Sequence, residues 1–203
     1  MPVPASRAGT KGVPRQEREQ QILDAATVEF ATRGYAGGSV EQIGRTVGVS
    51  RAMVHAYFGG KDELYSACLS RAGEPLVAAV AAVQDPGQAP IPRATATLRA
   101  ILTTLEPRRH DWALHYDRSL PASSPAFPQA RGYRRALAAL GVAGTHEALE
   151  RAGATQDDDA DLLSHLWLDV TGSIIRWWLG RPDESADTAL ARLDRVLTGL
   201  LRA

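Results

Sequence analysis

The chain has 203 residues, 44% hydrophobic and 23% charged, and its basic and acidic residues balance to zero net charge. That is globular composition, long enough to bury roughly 70% of the unfolded surface, so a core needs neither metal nor disulfides. A single cysteine, Cys68, excludes an internal disulfide framework and a CxxC zinc site, and no apolar run reaches the ~18 residues of a membrane helix.

The most apolar stretch, residues 166–180, is interrupted by Asp169 and Arg176, and no apolar segment opens the chain. A soluble cytoplasmic protein with no membrane partner is therefore expected. The charge is unevenly spread. Residues 1–15 carry Arg7, Lys11 and Arg15 without an acid, whereas residues 147–161 carry six acids against Arg151.

Residues 1–14, rich in Pro, Gly and Ala and without periodicity, read as a flexible basic arm. Ile22, Leu23, Ala26 and Phe30 then recur at helical spacing and predict a helix over 15–33, stopped by Gly34. Ser39, three residues before Gln42, opens a short second helix that Gly48 ends. Ser50 opens a third, closed by Gly59-Gly60. A fourth runs from Lys61 to about Val83, with Pro75 inside it expected to introduce a kink.

Further helices are predicted over 92–106, 108–119, 126–152, 157–180 and 184–202, with Gly141 and Gly144 as candidate breaks in the third of these. No Val/Ile/Thr-rich run alternates with period two, so the fold class is all-α. The organisation expected is an arm (1–14), a unit of short helices (15–60) and a larger helical unit (61–203).

The second and third helices, joined at Gly48, have the spacing of a helix-turn-helix, whose second helix enters a major groove. Val40, Ile43, Val47 and Val49 supply a small apolar centre, and Val54 and Phe58 turn inward one helical turn apart. Arg51, Ala52, His55 and Ala56 are left on the outer face, with Met53 and Tyr57 at its edges. Small alanines permit close approach to base edges, and their methyls suit thymine.

From Ile22 to Leu64 the sequence resembles the DNA-binding domain of the tetracycline-repressor (TetR) family. The resemblance rests on Phe30…Gly34-Tyr35, Ser39-Val40…Ile43, Gly48-Val49-Ser50, Tyr57-Phe58 and Lys61-Asp62-Glu63-Leu64. It implies a homodimer of helical subunits that binds a palindromic double-stranded DNA operator and is released by a small-molecule effector. It also implies that Arg51, Ala52, Met53 and Ala56 face bases, while His55, Tyr57 and Lys61 touch phosphates or adjacent base edges. The helix caps Ser39 and Ser50 complete the expected DNA-binding set. His55 and Met53 depart from the Tyr and Thr common in the family, so base preference does not carry over.

Cys68 reads as core, and Asp157-Asp158-Asp159 as acids complementing a helix dipole. His110 and His115 lack a metal-binding frame, and no nucleophile–base pair, phosphate-cradling loop or cofactor motif appears. A non-enzyme without cofactor or metal is expected. Candidate ligand contacts are Trp112, His115 and Tyr116 on one helix, and His165 and Asp169, beside Trp167, on another.

The dimer is expected through the last two helices, using Ile174, Trp177, Trp178, Leu190, Leu193, Leu197 and Leu200. A ligand-responsive repressor is the leading reading. A TetR-like activator or global regulator without an effector, and an interaction module that keeps the fold without binding DNA, are the alternatives.

Overall fold

The computed structural model describes residues 13–153 and 156–201, without the side chains of 157, 197, 200 and 201. Most of the basic arm, with Arg7 and Lys11, therefore lies outside the described residues, as do the side chains of Leu197 and Leu200. The described chain is all helical: α1 (Arg15–Gly37), α2 (Val40–Val47), α3 (Arg51–Phe58), α4 (Lys61–Ala82), α5 (Pro90–Leu105), α6 (Asp111–His115), α7 (Ala126–Arg151), α8 (Asp157–Leu179) and α9 (Ala186–Leu201). A single 3-10 turn, Glu106–Arg108, joins α5 to α6.

The first helix does not stop at Gly34. That glycine takes a left-handed φ of 68° that breaks the helical path, and residues 35–37 add a further turn before Gly38. Only glycine suits the position twice over, because an added Cβ would also lie 2.3 Å from the Ser119 hydroxyl.

The helix expected over 108–119 is reduced to the one-turn α6. Beyond it, Asp117 and Ser119 bond backbone amides across the chain instead of lying on a helix. Gly141 and Gly144 do not split α7. Gly141 instead lets α8 approach, since a Cβ there would stand 3.2 Å from the Trp167 ring. The Gly144 carbonyl accepts from buried Arg93 at 2.7 Å, and Arg93 is also paired with Glu147.

Two apolar clusters hold the molecule. The first joins Ile22, Phe30, Ile43 and Val54 of the N-terminal helices to Leu64, Tyr65 and Leu69 of α4 and to Leu114, Leu120 and Ala130 beyond. The second joins Leu76 and Val80 of α4 to Leu102, Leu105, Trp112, Ile175, Trp178 and Leu190. Helix α4 thus belongs to both, and Pro75 sits where it passes from one to the other. Pro75 lies inside α4, which continues through it as one helix.

The apolar side chains expected at a dimer face divide differently. Trp178 (0% exposed) and Leu190 (4%) are inside the subunit, in the second cluster, with Ile174, Trp177 and Leu193 partly buried against it. The exposed apolar side chains of α8 are instead Leu162, Leu166, Leu168 and Val170. Leu162, Leu166 and Val170 recur every four residues, a single stripe along the helix. Among the described residues no helix is long and apolar enough to cross a membrane.

Candidate nucleic-acid interface and effector cavity

The turn between α2 and α3 is set by short-range chemistry. Ser39 caps α2 by accepting from the Gln42 amide at 3.3 Å, and Ser50 caps α3 by accepting from the Met53 amide at 3.1 Å. Gly48 ends α2 in the left-handed conformation, at φ 73° and ψ 30°. Gly44 acts by its small size. A Cβ there would lie 2.8 Å from the Val49 carbonyl, so its absence lets the turn close against α2. Val40, Ile43 and Val54 are buried, and Val47, Val49 and Phe58 pack partly buried around them. From α1, the buried Arg18 donates to the Val47 carbonyl at 3.2 Å, satisfying a free acceptor at the end of α2.

This frame leaves Arg51, Ala52 and Ala56 exposed on α3, with Met53, His55 and Tyr57 partly exposed beside them. The His55 ring links two of these features. Its Nδ1 donates to the Gly59 carbonyl at 2.6 Å, and its Nε2 accepts from Arg51 Nε at 3.3 Å. The carbonyl fixes the tautomer, because it can only accept. His55 therefore steadies Arg51 as well as standing on the same face. The Arg15 guanidinium lies 5.4 Å from the centre of the Tyr57 ring, which draws that tyrosine toward the start of α1. Lys61 is turned back onto its own domain. Its ammonium stands 4.7 Å over the Tyr35 ring and donates to the Ala36 carbonyl at 3.4 Å. Partial burial lowers its pKa, opposed by Asp62, Asp117 and Glu29.

Beyond α3, a cavity of about 800 Å³ opens between α1, α4, α5, α6, α7 and α8. Phe30, Val80, Ile101, Trp112, Leu137 and Trp167 give it an apolar wall. Of the ligand candidates, Trp112, Tyr116 and Asp169 line it. His115 and His165 do not. Trp112 and Tyr116 are one helical turn apart, with rings 4.8 Å between centroids. His115 lies between them in sequence and so faces away, fully buried against the Tyr133 ring at 5.7 Å. His165 precedes the lining stretch of α8 and is exposed, its ring bonded to the Asp161 carbonyl at 2.9 Å.

The residue that joins cavity to head is Asp117, which lines the cavity together with Gly34. Its Oδ2 accepts from the Tyr35 amide at 2.6 Å and from the Tyr65 hydroxyl at 3.0 Å. Its Oδ1 accepts from the amide and hydroxyl of Ser119 at 2.8 and 2.7 Å, and the Ser119 Oγ accepts in turn from the Ala36 amide at 3.1 Å. Burial pushes the Asp117 carboxyl up, but these hydrogen bonds outweigh it and hold the group below its ordinary pKa. The result is a charged clasp on the last turn of α1.

Comparison with known proteins identifies the N-terminal domain. Residues 22–68 match the family model described as bacterial regulatory proteins, tetR family. The chain also superposes on a TetR-like transcriptional regulator from Rhodococcus sp. RHA1, with a TM-score of 0.71 and 27% identity over 94% of this chain and 99% of that one. Residues 22–68 therefore carry a TetR-family DNA-binding domain, and the chain has the fold of a TetR-like regulator. Among curated relatives, the HTH-type transcriptional activator FasR of Mycolicibacterium smegmatis is 38% identical over 39% of this chain and 36% of its own length. The HTH-type transcriptional regulator BetI of Brucella anthropi is 38% identical over 34% of this chain and 38% of its own. The similarity to these curated regulators thus spans well under half of their length.

The sequence motif marked the helix-turn-helix but not what supports it. Arg18, Gly44, Asp117 and Ser119 escaped the sequence reading. Gly44 left one signal, a glycine inside an eight-residue helix, where it carries a helix-propensity penalty. Asp117 left none, since its partners Tyr35 and Tyr65 are 82 and 52 residues away.

Proposed function

We propose that this protein is a ligand-responsive transcriptional repressor that binds a palindromic operator as a homodimer and leaves it when a small molecule enters the cavity. The observation that carries the reading is the α3 face: a capped helix start with an exposed, His55-steadied arginine and two exposed alanines, suited to a major groove. Arg51, Ala52, Met53 and Ala56 face base edges, and Tyr57 and the capped ends at Ser39 and Ser50 lie along the phosphates. His55 acts through Arg51. Lys61 contributes a phosphate contact only by leaving Tyr35. The stripe of Leu162, Leu166 and Val170 pairs two subunits through α8, an isologous contact that spaces two α3 helices for successive half-sites.

The cavity supports the effector arm, because its wall includes Phe30 and Gly34 of α1 and the clasp residue Asp117. A molecule seated there touches the joint between head and body. Its coupling to DNA equals its difference in affinity between two subunit arrangements, typically ~1–3 kcal/mol.

The test is a footprint and mobility shift on DNA upstream of the protein's own gene, with light scattering on the free protein. A protected palindrome and a mass twice the 21.8 kDa of one chain are expected. A monomer at micromolar concentration, or no protected site, overturns the reading. The curated relative FasR carries the name of an activator. That favours activation as the second reading, distinguished by whether deleting this gene raises or lowers transcription from the footprinted promoter.

A further inference from the structure

The polar groups of the cavity are unequal in sign and in commitment. Arg118, Arg134 and Arg176 line it, against Asp117 and Asp169. Both oxygens of Asp117 are already taken by Tyr35, Tyr65 and Ser119. None of the three arginines forms an ion pair among the described residues. Arg134 donates through Nη1 to the His115 carbonyl at 2.5 Å, and Arg176 through Nη2 to the Ser173 hydroxyl at 3.0 Å. Each guanidinium, with five N–H groups, keeps most of its donors unspent.

Arg134 and Arg176 come from different helices, α7 and α8, and line the same cavity as Tyr116. Tyr116 is 49% exposed as a residue, yet burial of its phenol end raises its pKa, and both guanidiniums oppose that rise. A further group is unspent on the same wall. Thr171 lines the cavity and is only 8% exposed, and its buried hydroxyl has no hydrogen-bond partner among the described residues. A buried hydroxyl left so is destabilising unless something fills the role.

We infer that the cavity takes an apolar molecule bearing a single carboxylate, held by Arg134 and Arg176 with its apolar body against Trp112, Ile101 and Trp167. A carboxylate matches the planar fork of an arginine and satisfies several donors at once, which a neutral hydroxyl does not. A cationic ligand meets three guanidiniums, none of them ion-paired among the described residues, against the two carboxylates of Asp117 and Asp169. The volume, about 800 Å³, is that of a site for a ligand well above solvent size. This inference rests on the effector reading of the cavity and names the chemistry that the effector must have.

The experiment uses the full chain and three matched probes: decanoate, decan-1-ol and decyltrimethylammonium, each below its aggregation limit. Calorimetry and tryptophan fluorescence, with Trp112 and Trp167 as reporters, measure binding. Decanoate should saturate at one per chain and bind about tenfold more tightly than decan-1-ol, with the ammonium weakest. Arg176→Gln, at an exposed residue, should weaken decanoate about tenfold and leave decan-1-ol unchanged, with Arg176→Lys recovering part of the loss.

Equal affinity for acid and alcohol, or decanoate binding indifferent to Arg176→Gln in a variant of unchanged Tm, overturns the inference. A separate arm adds decanoate to the protein–DNA complex. Arg176-dependent binding that leaves the complex intact keeps the carboxylate site and overturns the effector reading.

Discussion

The N-terminal head and the cavity half are both helical, but they are built on different terms. In the head, helices of eight residues are held by caps one turn away, by Gly48 in a left-handed turn and by a close-packed centre of Ile43 and Val54. In the cavity half, long helices enclose a space of about 800 Å³ that aromatic and arginine side chains line. The head has little room to vary without losing its turn. The other half encloses open space, so its inner wall is less constrained by close packing. The Asp117 clasp connects the two, so the halves are joined by a charged hydrogen-bond cluster as well as by α4.

That contrast is broken most forcefully at the head's outer face. Arg51→Ala should weaken operator binding by about 1–3 kcal/mol for each half-site, and scrambled DNA far less, with preference relaxed at one base pair per half-site. Salt titrations on both DNAs measure this. Equal losses on the two would make Arg51 a backbone contact.

His115 tests how tightly the cavity half is closed behind its wall. Burial, helped by Arg134, depresses its pKa to about 4 from the ordinary 6.5. The unfolded state therefore binds the proton first, so stability is complete above pH 6.5 and falls as the pH drops from there to about 4. The full loss is roughly 3 kcal/mol. Denaturation between pH 7 and 4 should show that slope, and His115→Leu should flatten it.

The joint gives a smaller effect. Asp117→Asn replaces an acceptor of four hydrogen bonds by a neutral amide and should destabilise the folded chain by about 2 kcal/mol. Because the native carboxyl titrates below its ordinary range, the clasp is present at neutral pH and lost only as the pH falls through that lowered value. The loss in effector-driven release should exceed the loss in ligand-free DNA affinity. An unchanged release curve in a folded variant would remove Asp117 from the coupling.

Lys61→Ala should have the smallest effect. Its ammonium rests on Tyr35 and the Ala36 carbonyl, so a phosphate contact requires leaving both. A several-fold loss common to operator and scrambled DNA is expected, with the salt slope reduced by about one unit.

The head was legible because its signals are local. Ser39 and Gln42, Gly48, Ser50 and the Val54–Phe58 spacing each act within one helical turn, so adjacent letters specify them. The all-helical class followed from the same periodicity.

Helix ends set by distant partners were not legible. Nothing near residues 108–119 announces that Asp117 will bond Tyr35 and shorten the helix to Asp111–His115. Nor does the sequence of α8 say which apolar face turns inward. Trp178, expected at a subunit interface, is buried in the subunit beneath the Arg109 guanidinium, 4.0 Å from the ring centre. Leu162, Leu166 and Val170 remain outside.

Residue order was enough to establish that this chain is helical, where its turn and recognition helix lie, and which residues stand on that helix's outer face. Helix packing was needed to bring Arg134 and Arg176 to one cavity, to turn His115 away from it, and to tie it to the head through Asp117. Helical spacing is fixed by geometry within a few residues. The meeting of side chains 40 to 80 residues apart is fixed by how whole helices pack.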